Sequence, residues 1–211
     1  MDRRSYLDDF AVVVIGASSG GVKAIDHLFS ELSPDIPAAF FVTLHIGPYR
    51  SILPDIIGQH GFHARHPHHG ERISGGNVLI APPDHHLCIL KESVALSRGP
   101  RENWARPAID PMFRSAANVY GARVIGVILT GNLNDGTLGL KVIKRHGGLV
   151  IVQDPKDALC PSMPASALSA VAVDQCVPMS KMPGVLYQAT LDVVAQRPKL
   201  LIGGSGGPRH G

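Results

Sequence analysis

The chain has 211 residues, of which 45% are hydrophobic and 18% charged, with a formal net charge of +3. That length and balance fit one domain with enough apolar material for a core. Lys and Arg are scattered rather than massed, which argues against a nucleic-acid surface, and no apolar run approaches the length of a membrane span.

Taken in chain order, strands and helices alternate. Ala11–Ile15 is a short β-branched run and reads as a buried parallel strand. Gly16 to Gly21 breaks it, and Val22, Ile25, Leu28, Phe29 and Leu32 then recur at helical spacing. Ser33-Pro34 ends that helix. Ala38–Leu44 is a second strand ending at His45, and Tyr49–Gln59 a second helix despite Pro54. Asn77–Ala81 is a third strand, closed by Pro82-Pro83. Leu87–Leu90 and Val94–Leu96 form a small hairpin. Asp110–Tyr120 is a helix, Arg123–Leu129 a buried strand, Leu138–His146 a helix and Leu149–Val152 a strand. Pro164–Val171 and Val185–Ala195 are the last helices.

This order predicts an α/β fold: a doubly wound, mostly parallel sheet with helices on both faces and a small antiparallel hairpin. Residues 1–200 read as one domain and 201–211 as a flexible Gly-rich tail. Arg3 and Arg4 are followed by Asp8 and Asp9, which interrupt any signal-peptide core. Cys88, Cys160 and Cys176 form no CxxC pair and are odd in number, so the expected compartment is the cytoplasm. Each reads as a small buried hydrophobe.

In open parallel sheets, ligands sit beyond the carboxyl ends of the strands, and three polar candidates fall there. Gly16-Ala17-Ser18-Ser19-Gly20 matches G-x-S-x-G between a strand and a helix, the context that exposes a nucleophilic serine. The competing reading is a phosphate-binding glycine loop, although neither G-x-G-x-x-G nor a Walker loop is matched. His45 ends the neighbouring strand, where a base for Ser18 belongs, because a hydroxyl is a poor nucleophile until a base takes its proton. Asp135, in Thr130-Gly-Asn-Leu-Asn-Asp-Gly136, is either a turn aspartate or the carboxylate that orients the imidazole. His60, His63, His66, His68 and His69 lack zinc-site spacing and read as an exposed loop. His85 and His86 either line the cleft or face solvent. No metal or cofactor is expected.

The ordered blocks resemble the catalytic domain of chemotaxis receptor protein-glutamate methylesterases, the CheB type, from about Val12 to Val177. They are Ile15–Gly21, His45, Gly70-Glu71, Val78–Pro82, Arg106–Asp110, Gly126–Gly131, Asn134–Gly136, Gln153–Pro155 and Met163-Pro164 with Ala167. The resemblance implies that Ser18 is the nucleophile, His45 the general base and acid, and Asp135 its orienting partner. It implies an oxyanion site at the backbone N–H groups of Ser19 and Asn132, with Arg106 near the substrate. The implied reaction is hydrolysis of glutamate methyl esters on chemoreceptors, and in many members deamidation of receptor glutamines. The implied partner is a methyl-accepting receptor or receptor-like signalling protein, with a separate kinase or response regulator as a further candidate.

Two segments depart from the family pattern. Asn103-Trp104-Ala105-Arg106-Pro107 stands where Asn-Arg-His-Arg-Pro is common, and Asn132-Leu133 replaces Met-Gly in the loop before Asp135. The first change motivates an alternative, a catalytically impaired scaffold that binds receptors or kinases. A third reading is a nucleotide-binding protein, which lacks an acidic ribose ligand after its second strand. Only seventeen residues precede Ser18, so no tethered receiver domain is expected.

Overall fold

A computed structural model describes residues 10–47 and 51–196. The elements in order are β1 (Ala11–Ala17), α1 (Gly21–Glu31), β2 (Ala38–Leu44), α2 (Leu53–Gly58), β3 (His63–Arg65), β4 (Asn77–Ile80), β5 (His86–Ile89) and β6 (Val94–Ser97). They continue with α3 (Ile109–Tyr120), β7 (Val124–Ile128), α4 (Thr137–Arg145), β8 (Leu149–Gln153), α5 (Ser162–Ala170), β9 (Gln175–Val177) and α6 (Met182–Ala195). Seven strands form one sheet in the order β3-β4-β2-β1-β7-β8-β9, and every pairing in it is parallel. β5 and β6 pair antiparallel as a separate hairpin.

The central strands are buried along their whole length because helices cover both sheet faces, which is why they read as continuous apolar runs rather than alternating ones. The alternation of side chains still sorts them. Val13 and Ile15 pack with Ile25, Leu28 and Phe29 of α1 and with Met182 and Leu186 of α6. Val12 and Val14 pack with Met112 and Phe113 of α3, Leu140 and Ile143 of α4, and Met163 of α5. Leu87, Ile89 and Val94 join that second layer, so the hairpin is sealed onto α3 rather than standing free. Three phenylalanines, Phe29, Phe40 and Phe62, meet edge to face with ring centres 4.9–6.1 Å apart, a geometry favoured by the ring quadrupoles.

The chain runs outward from β1 through β2 on one side and resumes beside β1 at β7 on the other. The strand order therefore reverses between β1 and β7, and the crevice above their carboxyl ends is the expected ligand position in such a sheet.

Three expectations need correction. The 60–69 stretch is not simply an exposed loop. It contains edge strand β3, and His60 Nε2 lies 2.7 Å from Asp26 Oδ1. His66 is half-buried with Nδ1 3.0 Å from the Ile80 carbonyl. The cysteines are not buried hydrophobes, since Cys88 and Cys160 are half-buried and Cys176 is exposed, and all three are free thiols. The second helix starts at Leu53 rather than Tyr49; Tyr49 itself, like the 201–211 tail, lies outside the described residues. Among the described residues, no helix is long and apolar enough to cross a membrane. Nor does any group of three His, Cys, Asp or Glu side chains among them suit a metal ion.

Candidate active site

Ser18 is the first residue beyond β1. Its N–H donates to the Thr130 carbonyl at 3.0 Å, and its own carbonyl accepts from the Gly21 N–H at 2.8 Å. The turn closes because Gly20 adopts φ +81°, a left-handed conformation that glycine takes without a Cβ penalty. Thr130 fastens the turn from the β7 side. Its hydroxyl donates to the Ser19 carbonyl at 2.9 Å and accepts from the Cys160 N–H at 2.8 Å. Gly131 lies directly against the serine: a Cβ there would stand 2.8 Å from Ser18 Cβ and 2.7 Å from Met163 Cε.

His45 is the first residue beyond β2, with its N–H donating to the Ala17 carbonyl at 3.1 Å. Its ring spans the crevice. Nδ1 is 3.2 Å from Ser18 Oγ, and Nε2 is 2.7 Å from Asp135 Oδ2. Asp135, in the loop beyond β7, is 1% exposed. Besides His45, its Oδ2 accepts from the Ile109 N–H at 2.7 Å. Its Oδ1 accepts from Asn103 Nδ2 at 2.6 Å, the Gly136 N–H at 2.9 Å and the Asp110 N–H at 3.1 Å. Burial alone would raise the pKa of this carboxyl, but the bonds from His45, Ile109 and Asn103 and the nearby imidazole outweigh it, so Asp135 stays below the usual carboxylate range.

That ionisation fixes the imidazole tautomer. A carboxylate only accepts, so Nε2 carries the hydrogen and Nδ1 presents its lone pair to the Ser18 hydroxyl. The arrangement can draw a proton from Ser18 and stabilise the imidazolium that results.

The remaining predicted residues are placed as follows. Neither the Ser19 nor the Asn132 backbone N–H has an acceptor among the described residues. The Asn132 side chain donates to Ser19 Oγ at 3.0 Å, tying the two loops together. Arg106 lines a cleft of about 380 Å³ beside His45, with Arg101, Trp104, Pro107 and Leu133. Its guanidinium, however, is occupied within the protein. It donates to Asp84 Oδ1 at 2.6 and 2.8 Å, and to the carbonyls of Arg98 and Gly99 at 2.9 and 2.8 Å. Arg106 is thus a wall of the cleft. Of the two candidate cleft histidines, His86 is buried between the Pro100 carbonyl and the Ala108 N–H. His85 is bonded to the Pro83 carbonyl and Arg98.

Trp104 does not obstruct the centre. It projects from the cleft rim, 89% exposed. Two site residues went unread in the sequence, Asn103 and Asp110. Asp110 is 1% exposed, and burial, together with the Asp135 charge, raises its pKa despite bonds from Gly139 and Asn103. The Arg106–Asp110 block was a signal for this support, because its last two residues supply backbone donors to Asp135.

Comparisons with known proteins identify the family and the fold. A family model described as CheB methylesterase matches residues 13–186. A relative from Leptospira interrogans is 35% identical over 195 residues, covering 90% of this chain and all of that protein. A protein-glutamate methylesterase/protein-glutamine glutaminase of Anaeromyxobacter dehalogenans is 40% identical over 182 residues. One of Pyrococcus horikoshii is 32% identical over 183. The chain spans about half the length of these last two, 53% and 50%. Among solved structures, the Thermotoga maritima CheB methylesterase catalytic domain matches with a TM-score of 0.80 and 32% identity, covering 84% of this chain and 97% of that one.

Proposed function

The chain belongs to the CheB methylesterase family, and from that premise we propose that it is a serine hydrolase that removes methyl groups from glutamate methyl esters of a chemoreceptor or receptor-like signalling protein. Ser18 is the nucleophile, His45 the general base and acid, and Asp135 the carboxylate that orients His45. The observation that carries this reading is the unbroken chain from Ser18 Oγ through His45 to a buried, ionised Asp135, with separations of 3.2 and 2.7 Å.

The steps follow from that chain. As Ser18 Oγ attacks the ester carbonyl, its proton passes to His45 Nδ1, and Asp135 stabilises the imidazolium without taking the proton. Charge developing on the carbonyl oxygen is met by the Ser19 and Asn132 N–H groups, which the protein leaves without acceptors. The positive end of α1 lies close by. Preformed donors of this kind carry much of the rate enhancement in acyl transfer. His45 then protonates the departing methoxide, so methanol leaves and Ser18 remains acylated by the glutamyl group. Water, activated by His45, releases free glutamate. The same attack on a glutamine side-chain amide expels ammonia and gives the deamidase reaction.

The test is methanol release from methylated receptor membranes by the full chain. Wild type is expected to release methanol, with Ser18→Ala and His45→Ala at background. A folded wild type with no release from several receptors would contradict the proposal.

A further inference from the structure

We propose that Asn103 is a positioning residue that keeps Asp135 aimed at His45 by sharing one side-chain amide between two buried carboxylates. The inference rests on the esterase reading above. Asn103 Nδ2 donates to Asp135 Oδ1 at 2.6 Å and to Asp110 Oδ2 at 2.8 Å. Only the NH2 end of an amide can face two carboxylates, so the side chain has one chemically sensible orientation.

Asp110 and Asp135 are each 1% exposed, and two buried carboxylates in one site oppose each other's ionisation. An amide that supplies one proton to each lowers that opposition at the side of Asp135 remote from His45. The other Asp110 oxygen is held by the Gly139 N–H at 2.6 Å. The titratable groups facing Asp135 are His45 beyond β2 and Asp110 on α3. Arg114, also on α3, acts on Asp110 and is itself bonded to Glu102 at 2.8 and 2.9 Å.

The backbone is arranged to deliver this amide. Glu102 and Ala105 exchange hydrogen bonds at 3.2 and 2.9 Å, closing a tight turn whose two central residues, Asn103 and Trp104, have φ +49° and +63°. Asn visits that region readily, whereas a bulky aromatic does so at a cost. Such outliers persist where the surroundings impose them, commonly at functional sites. Here the turn sends Asn103 inward to the carboxylates and leaves Trp104 at the cleft rim.

A purely conformational role for Asn103, as a left-handed turn residue, predicts differently. Asn103→Gly keeps the turn and deletes the amide. Carbon-13 titration of the Asp135 carboxyl in the full chain should then move to higher pH than in wild type. In methanol release, kcat should fall about 10- to 100-fold, the scale seen when hydrogen-bond partners of metal-ligating side chains are removed. KM should stay within about threefold, and the acid limb of the profile should move to higher pH. Asn103→Asp, which tolerates the same left-handed turn but loses the amide donor, is read in the same way if the glycine variant does not fold. Wild-type titration of Asp135, with wild-type kcat and pH profile, would overturn the proposal. If wild type releases no methanol, the esterase reading fails, and the Asp135 titration still decides the role of Asn103.

Discussion

His45 uses its ring nitrogens in the reverse sense from the serine-protease arrangement, where Nε2 faces the serine and Nδ1 the aspartate. Here Nδ1, the nitrogen nearer the backbone, meets Ser18 on the adjacent strand end, and Nε2 reaches the buried Asp135. The chemistry is unchanged because Asp135 still fixes which nitrogen is protonated. Asp135→Asn should therefore lower kcat by roughly 10⁴, the size of effect seen when a triad carboxylate becomes an amide and the wrong tautomer is favoured. An amide NH2 at the Oδ2 position accepts from neither His45 nor the Ile109 N–H; His45 can switch tautomer to accept from it, but the buried Ile109 N–H is left unpaired. A loss of about 1–3 kcal/mol in unfolding free energy should accompany the kinetic defect, measurable by denaturant titration.

At the scale of elements, the site is a joint between the turn after β1 and the loop after β7. Thr130 and Gly131 make that joint. Thr130→Val retains shape but leaves the Ser19 carbonyl and the Cys160 N–H without their hydroxyl partner. It should cost about 1–3 kcal/mol and reduce kcat more than KM, because the turn carrying Ser18 is loosened. Gly131→Ala forces a carbon against Ser18 and Met163. The overpacking should cost about 1–3 kcal/mol and displace the nucleophile, seen as a lower melting temperature together with lost methanol release. The strands that bear this joint were legible in the sequence: β1, β2 and β7 are continuous apolar runs, and each ends at a polar residue of the site. β3 and β9 were not. Each has three residues, largely exposed or half-buried, and so carries no hydrophobic run to detect. Short edge strands of that kind resist edge-to-edge pairing. Asn103 was also illegible, because its role comes from a turn that folds back onto two aspartates, seven and 32 positions away. No local periodicity encodes such a contact.

For the whole molecule, the reversal of strand order between β1 and β7 gathers residues from three separate strand ends into one crevice. It also makes stability depend on Asp135. The folded pKa of this carboxyl is depressed, so its ionised form contributes stability above the unfolded value of about 3.9. That contribution is lost as pH falls through the lower folded value. The stability gap between wild type and Asp135→Asn should therefore be full near neutrality and narrow from about pH 5 downward. Asp110 acts in the opposite sense: its raised pKa means that its charge costs stability near neutrality, a cost relieved on acidification. Chemical denaturation across a pH series would separate the two.

The central claim is that Ser18, His45 and Asp135 act as one catalytic unit. The most direct measurement is the rate of methanol release from methylated receptor membranes by Ser18→Ala, His45→Ala and Asp135→Ala, and by the triple variant. Residues that act as a unit give strongly non-additive losses. The account predicts that the triple variant is no slower than Ser18→Ala alone, with each single loss large. Losses that multiply across the three positions, or a Ser18→Ala variant that keeps most of the wild-type rate, would contradict it.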